Sequence, residues 1–198
     1  DVVSHNVFAR LRGASRPDEY VLYGAHWDAN GLNGPDARGD GIRNGAVDNA
    51  TGTAEVLEVA RAFAEGPRPD RTVVFALWTA EEKGLLGAEA YAANPIYPLA
   101  KTVAVINVDG INQWGRTKDM TVIGLGASQL DDYLREAATE QGRTLRPDPE
   151  SEKGYYYRSD HFNFAKKGVP ALYTDTGIEF EGKDANYGTQ KRDEYTSR

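Results

Sequence analysis

Thr102-Val103-Ala104-Val105-Ile106-Asn107-Val108 is apolar at nearly every position and stops at Asp109-Gly110. A strand covered on both faces reads this way, because neither of its two alternating sets of side chains meets water. Working outward, further strand-like runs lie at Val2–Leu11, Tyr20–Gly24, Thr72–Trp78 and Met120–Leu125, with a shorter one at Ala171–Tyr173. Helical patterns fall between them. Thr53–Ala64 sets Val56, Val59, Ala60 and Phe63 on one stripe. Gln129–Gln141 does the same with Leu130, Tyr133, Leu134 and Ala137, opening on Ser128 with Asp131 three residues later. Thr79-x-x-Glu82 reads as a capping box for a helix over Gly84–Ala93. Strands alternating with helices predict an α/β domain whose largely parallel sheet lies between helical layers. Two loops interrupt the pattern: Ala29–Asn44, rich in Gly, Asn and Asp, and Pro147–Tyr157, ending in three tyrosines. From Thr176 onward the residues turn polar, and Gly182–Arg198 is expected to hold neither helix nor strand.

The 198 residues are enough for one domain, 1–198, with a core large enough to fold without a disulfide or a structural metal. Lys and Arg number 23 against 30 Asp and Glu, a net charge of −7. That balance disfavours nucleic acid and anionic membranes, both of which reward clustered positive charge. No apolar run approaches the ~18 residues a membrane-crossing helix needs. The chain begins with Asp1 and carries no signal-peptide pattern, as expected of a processed protein. With no cysteine, any metal must be held by histidine and carboxylates.

The position of those groups is what points to chemistry. His26 and Asp28 follow one strand, Glu81 and Glu82 a second, and Asp109 a third, while Asp48 sits at the entrance of the Thr53 helix. In an open α/β sheet the carboxyl ends of the strands are where ligands bind. Each item has a structural explanation of its own: a capping box for Glu81-Glu82, a helix-dipole acid for Asp48, a turn dipeptide for Asp109-Gly110. All of those would have to hold at once, at successive strand ends, so a shared metal site is the better reading. Imidazole with carboxylates suits zinc, and a carboxylate can bridge two cations. Of two adjacent glutamates, one can bind metal while its neighbour stays free as a base.

Gly24-Ala25-His26-Trp27-Asp28, Val47-Asp48-Asn49-Ala50-Thr51-Gly52, Trp78-Thr79-Ala80-Glu81-Glu82-Lys83-Gly84-Leu85-Leu86-Gly87 and Asn107-Val108-Asp109 resemble four consecutive motifs of one family. It is the co-catalytic zinc exopeptidase family of bacterial leucine aminopeptidases, with glutamate carboxypeptidase II, the transferrin receptor ectodomain and glutaminyl cyclase as relatives. Arg158-Ser159-Asp160-His161-Phe162 with Gly168-Val169-Pro170 is similar to the family's late Ser-Asp-His segment. The resemblance implies a three-layer α/β/α sandwich with a mixed, mainly parallel central sheet. It also implies that His26 and Asp109 bind one zinc, Asp48 bridges, Glu82 binds a second zinc, Glu81 is the general base and Asp28 orients His26. The family's remaining ligand is a His in a downstream Tyr-His motif. None follows here, so the second site is expected to be incomplete, and the native protein to continue past Arg198 with that His and a final helix covering the sheet. His161 is expected at a helix start or in packing, and His5 as a structural residue of the first strand. The function implied is an aminopeptidase acting on peptides with a free N-terminus, in a secreted or periplasmic setting. The alternatives are a single-zinc glutaminyl cyclase-like enzyme and a non-catalytic peptidase-like binding domain.

Overall fold

The computed structural model describes residues 2–37 and 39–196. Among the described residues nine strands are formed: β1 (Val7–Leu11), β2 (Arg16–His26), β3 (Gly31–Leu32), β4 (Ile42–Arg43), β5 (Arg71–Trp78), β6 (Thr102–Asn107), β7 (Asp119–Val122), β8 (Thr144–Pro147) and β9 (Ala171–Thr176). Five α-helices accompany them: α1 (Gly52–Glu65), α2 (Leu86–Ala93), α3 (Leu130–Glu140), α4 (His161–Ala165) and α5 (Tyr187–Thr196). Seven strands make one sheet in the order β1-β5-β2-β6-β9-β7-β8. The central β5, β2, β6 and β9 run parallel, β1 joins β5 antiparallel, and β7 joins β9 antiparallel while pairing in parallel with β8. The sheet is mixed and mainly parallel, with helices on both faces.

The two faces carry separate cores because strand side chains alternate. Val73, Phe75, Ala25 and Val108 pack under α1, whose Val56, Val59, Ala60 and Phe63 form the expected stripe. Val74, Ala76, Trp78, Leu22 and Val105 face the other way, against Ala88 and Tyr91 of α2 and Phe164 of α4. Trp78 and Phe164 are both almost fully buried and meet at 5.6 Å between ring centroids. This sandwich places the carboxyl ends of β5, β2 and β6 side by side.

Several boundaries differ from the sequence reading. The first strand begins at Val7, since Val2 and Val3 remain exposed and pair with nothing in the sheet. Residues 144–147 form the edge strand β8, too short and too polar to show alternation, with Pro147 at its end where no ladder donor is needed. Inside the Ala29–Asn44 loop, β3 and β4 make a small hairpin. The Thr79 capping box does not form. Gly84 and Leu85 adopt left-handed φ of 103° and 63°, which delays α2 to Leu86, and Leu85, Leu86 and Gly87 donate their N–H groups to Glu81, Ala80 and Thr79. Gly87 is required there, because a Cβ would lie 2.2 Å from the Thr79 carbonyl oxygen.

The polar tail is also corrected. Residues 187–196 form α5, entered through Asp184, whose carboxylate accepts the Asn186 N–H at 2.9 Å. The end of that tail, Ser197 and Arg198, lies outside the described residues. α5 is anchored by Gly188, where a Cβ would lie 2.2 Å from the Ile178 carbonyl oxygen, by Arg192 bound to Asp175, and by Tyr195 against Trp114. None of those contacts is an apolar stripe, so hydrophobic periodicity had nothing to report.

Candidate metal and catalytic site

His26 is the last residue of β2 and is 1% exposed. Its Nε2 lies 2.9 Å from Asp48 Oδ1, 3.2 Å from Asp109 Oδ1 and 4.0 Å from Glu81 Oε2. One ligand atom from each of His26, Asp48 and Asp109 falls within 4.8 Å of the others, which makes the three a group able to hold a metal ion. Three parallel neighbouring strands and one helix entrance therefore deliver their groups to a single point.

The local structure explains each placement. Asp109 follows β6, and its Oδ2 accepts a hydrogen bond from Ser159 Oγ at 2.5 Å, while Asn107 Nδ2 donates to the same Ser159 oxygen at 2.7 Å. Asp48 precedes α1 in a turn tied down by buried Asn49. Asn49 Nδ2 donates to the Val108 carbonyl at 2.9 Å, and its Oδ1 accepts the N–H groups of Gly52 at 3.0 Å and Gly110 at 2.8 Å. Gly52 must lack a side chain, since a Cβ would sit 2.2 Å from Asn49 Oδ1. The Asp48–Asn49 peptide bond is cis. Thr53 Oγ1 adds a bond to the His26 carbonyl at 3.1 Å.

Asp28 sits beside His26 in a way the strand geometry alone did not specify. His26 Nδ1 is 3.1 Å from the Asp28 backbone carbonyl, with the Asp28 carboxylate farther away at 3.7 Å. That carboxylate instead accepts the N–H groups of Glu81 at 3.0 Å and Glu82 at 3.3 Å. Two free amides in the turn after β5 draw a carboxylate more strongly than one ring nitrogen already bound to a carbonyl. Asp28 thus holds the Glu81-Glu82 turn and, through its backbone, the imidazole.

Glu82 stands apart from the three-residue group, with its Oε2 accepting from Asn30 Nδ2 at 2.7 Å. His161 begins α4, buried between the rings of Tyr156 and Tyr173, each 4.9 Å away between centroids. Burial pushes its pKa down to about 4, and neither ring nitrogen has a hydrogen-bond partner. His5 is exposed and lies before β1, its backbone carbonyl accepting the Trp27 indole N–H at 3.2 Å.

The electrostatics are those of a site with too much negative charge. Burial disfavours the His26 imidazolium, yet hydrogen bonding to Asp109 and Asp48 raises its pKa to about 11. Burial, then the charges of Asp109, Asp160 and Asp48, push Glu81 up to about 9 against the pull of His26. Asp160, buried with both oxygens unpartnered, is raised to about 8, chiefly by burial. Asp48 Oδ1 is buried and has no partner other than the His26 ring nitrogen 2.9 Å away. An imidazole shared by two carboxylates, with further carboxylates crowded around it in a chain without thiols, fits a zinc ion.

Beside this point opens a cavity of about 250 Å³, with Asp48 and Asp109 in its wall. Ile111, Trp114, Ile123, Tyr155, Ile178 and Tyr195 supply much of its lining. Asn49, Ser159 and Asn107 were present in the quoted motifs without an assigned role. The cavity itself was hidden because part of its lining comes from α5.

The sequence profile of Peptidase family M28 matches residues 6–197. A probable zinc metalloprotease of Pyrenophora teres f. teres is 43% identical over 103 residues, covering 52% of this chain and 22% of the relative. Aminopeptidase NAALADL1 of Mus musculus is 39% identical over 112 residues, covering 54% of this chain and 13% of the relative. The chain therefore spans less than a quarter of the length of these curated relatives. Among solved structures, BSAP, a zinc aminopeptidase from Bacillus subtilis, superposes with a TM-score of 0.69 at 24% identity, covering 92% of this chain and 42% of that one. That likeness extends to the fold.

Proposed function

The chain belongs to Peptidase family M28, and from that premise we propose that it is the catalytic part of a zinc-dependent exopeptidase that removes N-terminal residues from peptides. The observation that carries the reading is His26 Nε2 standing between Asp48 and Asp109 with the Glu81 carboxylate 4.0 Å away, at the carboxyl edge of the sheet. His26, Asp48 and Asp109 would hold one zinc, and Glu82 with a bridging Asp48 would contribute to a second. When bound, zinc supplies Lewis acidity toward a scissile carbonyl and lowers the pKa of water.

The remaining chemistry belongs to the chain. Glu81, whose carboxylate lies 4.0 Å from the His26 ring, takes a proton from the attacking water and returns it to the leaving amine. Asp28 fixes the turn that carries Glu81 through two amide hydrogen bonds. Asp109 is held in position by Ser159 and, behind it, Asn107. The anionic surroundings favour the free ammonium of a substrate N-terminus.

The test loads the chain with zinc and compares leucine 4-nitroanilide with its N-acetylated form. Zinc-dependent release of nitroaniline from the free amine alone is expected. Absence of both metal uptake and turnover would overturn the proposal, while turnover of the acetylated compound would overturn its exopeptidase part.

A further inference from the structure

The cavity beside Asp48 and Asp109 carries an ion pair among its apolar walls. Arg192 of α5 donates from one guanidinium NH₂ to Asp175 Oδ2 of β9 at 2.9 Å, and both residues line the cavity. The Arg192 side chain is 17% exposed and that of Asp175 is 40% exposed. Asp175 Oδ1 accepts its own neighbour's N–H, from Thr176, at 2.6 Å. A second carboxylate, Glu150 Oε2, stands 3.6 Å from the other terminal nitrogen of Arg192, and Glu150 is itself paired with Lys153. The local charge is balanced: two carboxylates against one guanidinium and one ammonium.

A substrate whose scissile bond lies at the metal site has its N-terminal side chain within reach of this cavity, because Asp48 and Asp109 belong to both. A side chain entering the cavity meets Ile111, Trp114, Ile123 and Ile178 in its wall, together with Asp175 and Arg192. With the pair intact, Asp175 and Arg192 together offer it no net charge. A lysine or arginine side chain would have to enter an apolar channel and meet a carboxylate already satisfied by Arg192, without recovering the hydration it lost. A large uncharged side chain has no such cost.

We propose that Arg192 is a specificity-determining residue, masking Asp175 so that the cavity selects large uncharged N-terminal side chains and turns cationic ones away. The proposal rests on the exopeptidase reading above. It goes further in assigning the rejection of lysine and arginine to one side chain. Specificity of this kind is a difference of affinities, so removing the mask changes the ranking of substrates more than their absolute rates.

The zinc-loaded chain, Arg192→Met, Asp175→Asn and the double variant are compared on leucine, phenylalanine, lysine and glutamate 4-nitroanilides. Binding of leucinamide and lysinamide is followed in parallel by calorimetry on the metal-free proteins. Arg192→Met exposes an unpaired carboxylate to the cavity and is expected to raise the lysine-to-leucine ratio of kcat/KM by about tenfold or more, the equivalent of one charge-assisted contact. Asp175→Asn frees the guanidinium nitrogen that faces Asp175, leaving Arg192 with Glu150 alone, and is expected to shift preference toward glutamate. The double variant returns the lysine-to-leucine ratio close to that of the parent. Ratios unchanged in both single variants, with leucine turnover or leucinamide binding retained, overturn the proposal. If Arg192→Met does not fold, the glutamate shift in Asp175→Asn decides alone. No zinc-dependent turnover in any protein, with the amide-binding ratio still shifted, would sink the exopeptidase reading and leave the role of Arg192 standing.

Discussion

Glu81 and Glu82 are neighbours in the chain and differ in surroundings. Glu81 faces His26 at 4.0 Å, whereas Glu82 is bonded to Asn30. Replacing Glu81 by Gln is expected to leave zinc content near that of the parent and to lower kcat by about 10²–10⁴-fold, the usual weight of a general base. Glu82→Gln should instead reduce metal occupancy. Elemental analysis beside steady-state kinetics separates the two, and exchanged outcomes would mean the roles are reversed. Ser159 tests the support behind Asp109. Ser159→Ala removes the donor to Asp109 Oδ2 and leaves Asn107 Nδ2 without its acceptor. Zinc affinity measured by competition with a chelator should fall by about 10–100-fold, and an unchanged affinity would make Ser159 a packing residue. At this scale the candidate ligands were legible because each stands at a strand end or a helix entrance. The carboxylate of Asp28 was not. Its bonds reach Glu81 and Glu82, 53 and 54 residues away, and no local pattern encodes them.

Phe164 shows what elements contribute. It lies on α4, is fully buried, and touches Trp78 of β5 and Tyr91 of α2 at 5.6 and 5.9 Å between centroids. Phe164→Ala is expected to cost about 3–5 kcal/mol, because a cavity is left where three elements meet. Urea unfolding followed by far-UV circular dichroism measures it, and a loss under ~1 kcal/mol would mean that α4 does not close this face. The elements buried on both sides, β5 and β6, and the striped α1 were readable because burial imposes its period on the sequence. β8 and α5 were not. β8 is a four-residue edge strand, and α5 is fastened by a glycine contact, the ion pairs of Arg192 and two aromatic pairs. Contacts of those kinds fix a helix without leaving an apolar stripe, and they are also what build the cavity beside the metal site.

The molecule as a whole carries the cost of its site when no cation is bound. His26 has its pKa raised to about 11 and Glu81 to about 9, both above their ordinary values of 6.5 and 4.5. For each group the folded state holds a proton more tightly than the unfolded chain does. The stability this contributes is complete below the ordinary pKa and is lost as pH rises toward the raised one. Metal-free protein should therefore melt at progressively lower temperature from about pH 6 to about pH 9, the interval these two shifts span in part. Zinc takes the place of those protons and binds the folded state alone, so at a free concentration of 100 times its Kd it should add about 2.7 kcal/mol. It should also flatten the alkaline decline, because the charge that drives the decline is neutralised. Calorimetric melting at several pH values, in chelator and in excess zinc, checks both statements. A metal-free curve that stays level across that interval would show that the carboxylates around His26 are not in conflict. A zinc curve parallel to the metal-free one would show that zinc binds away from them.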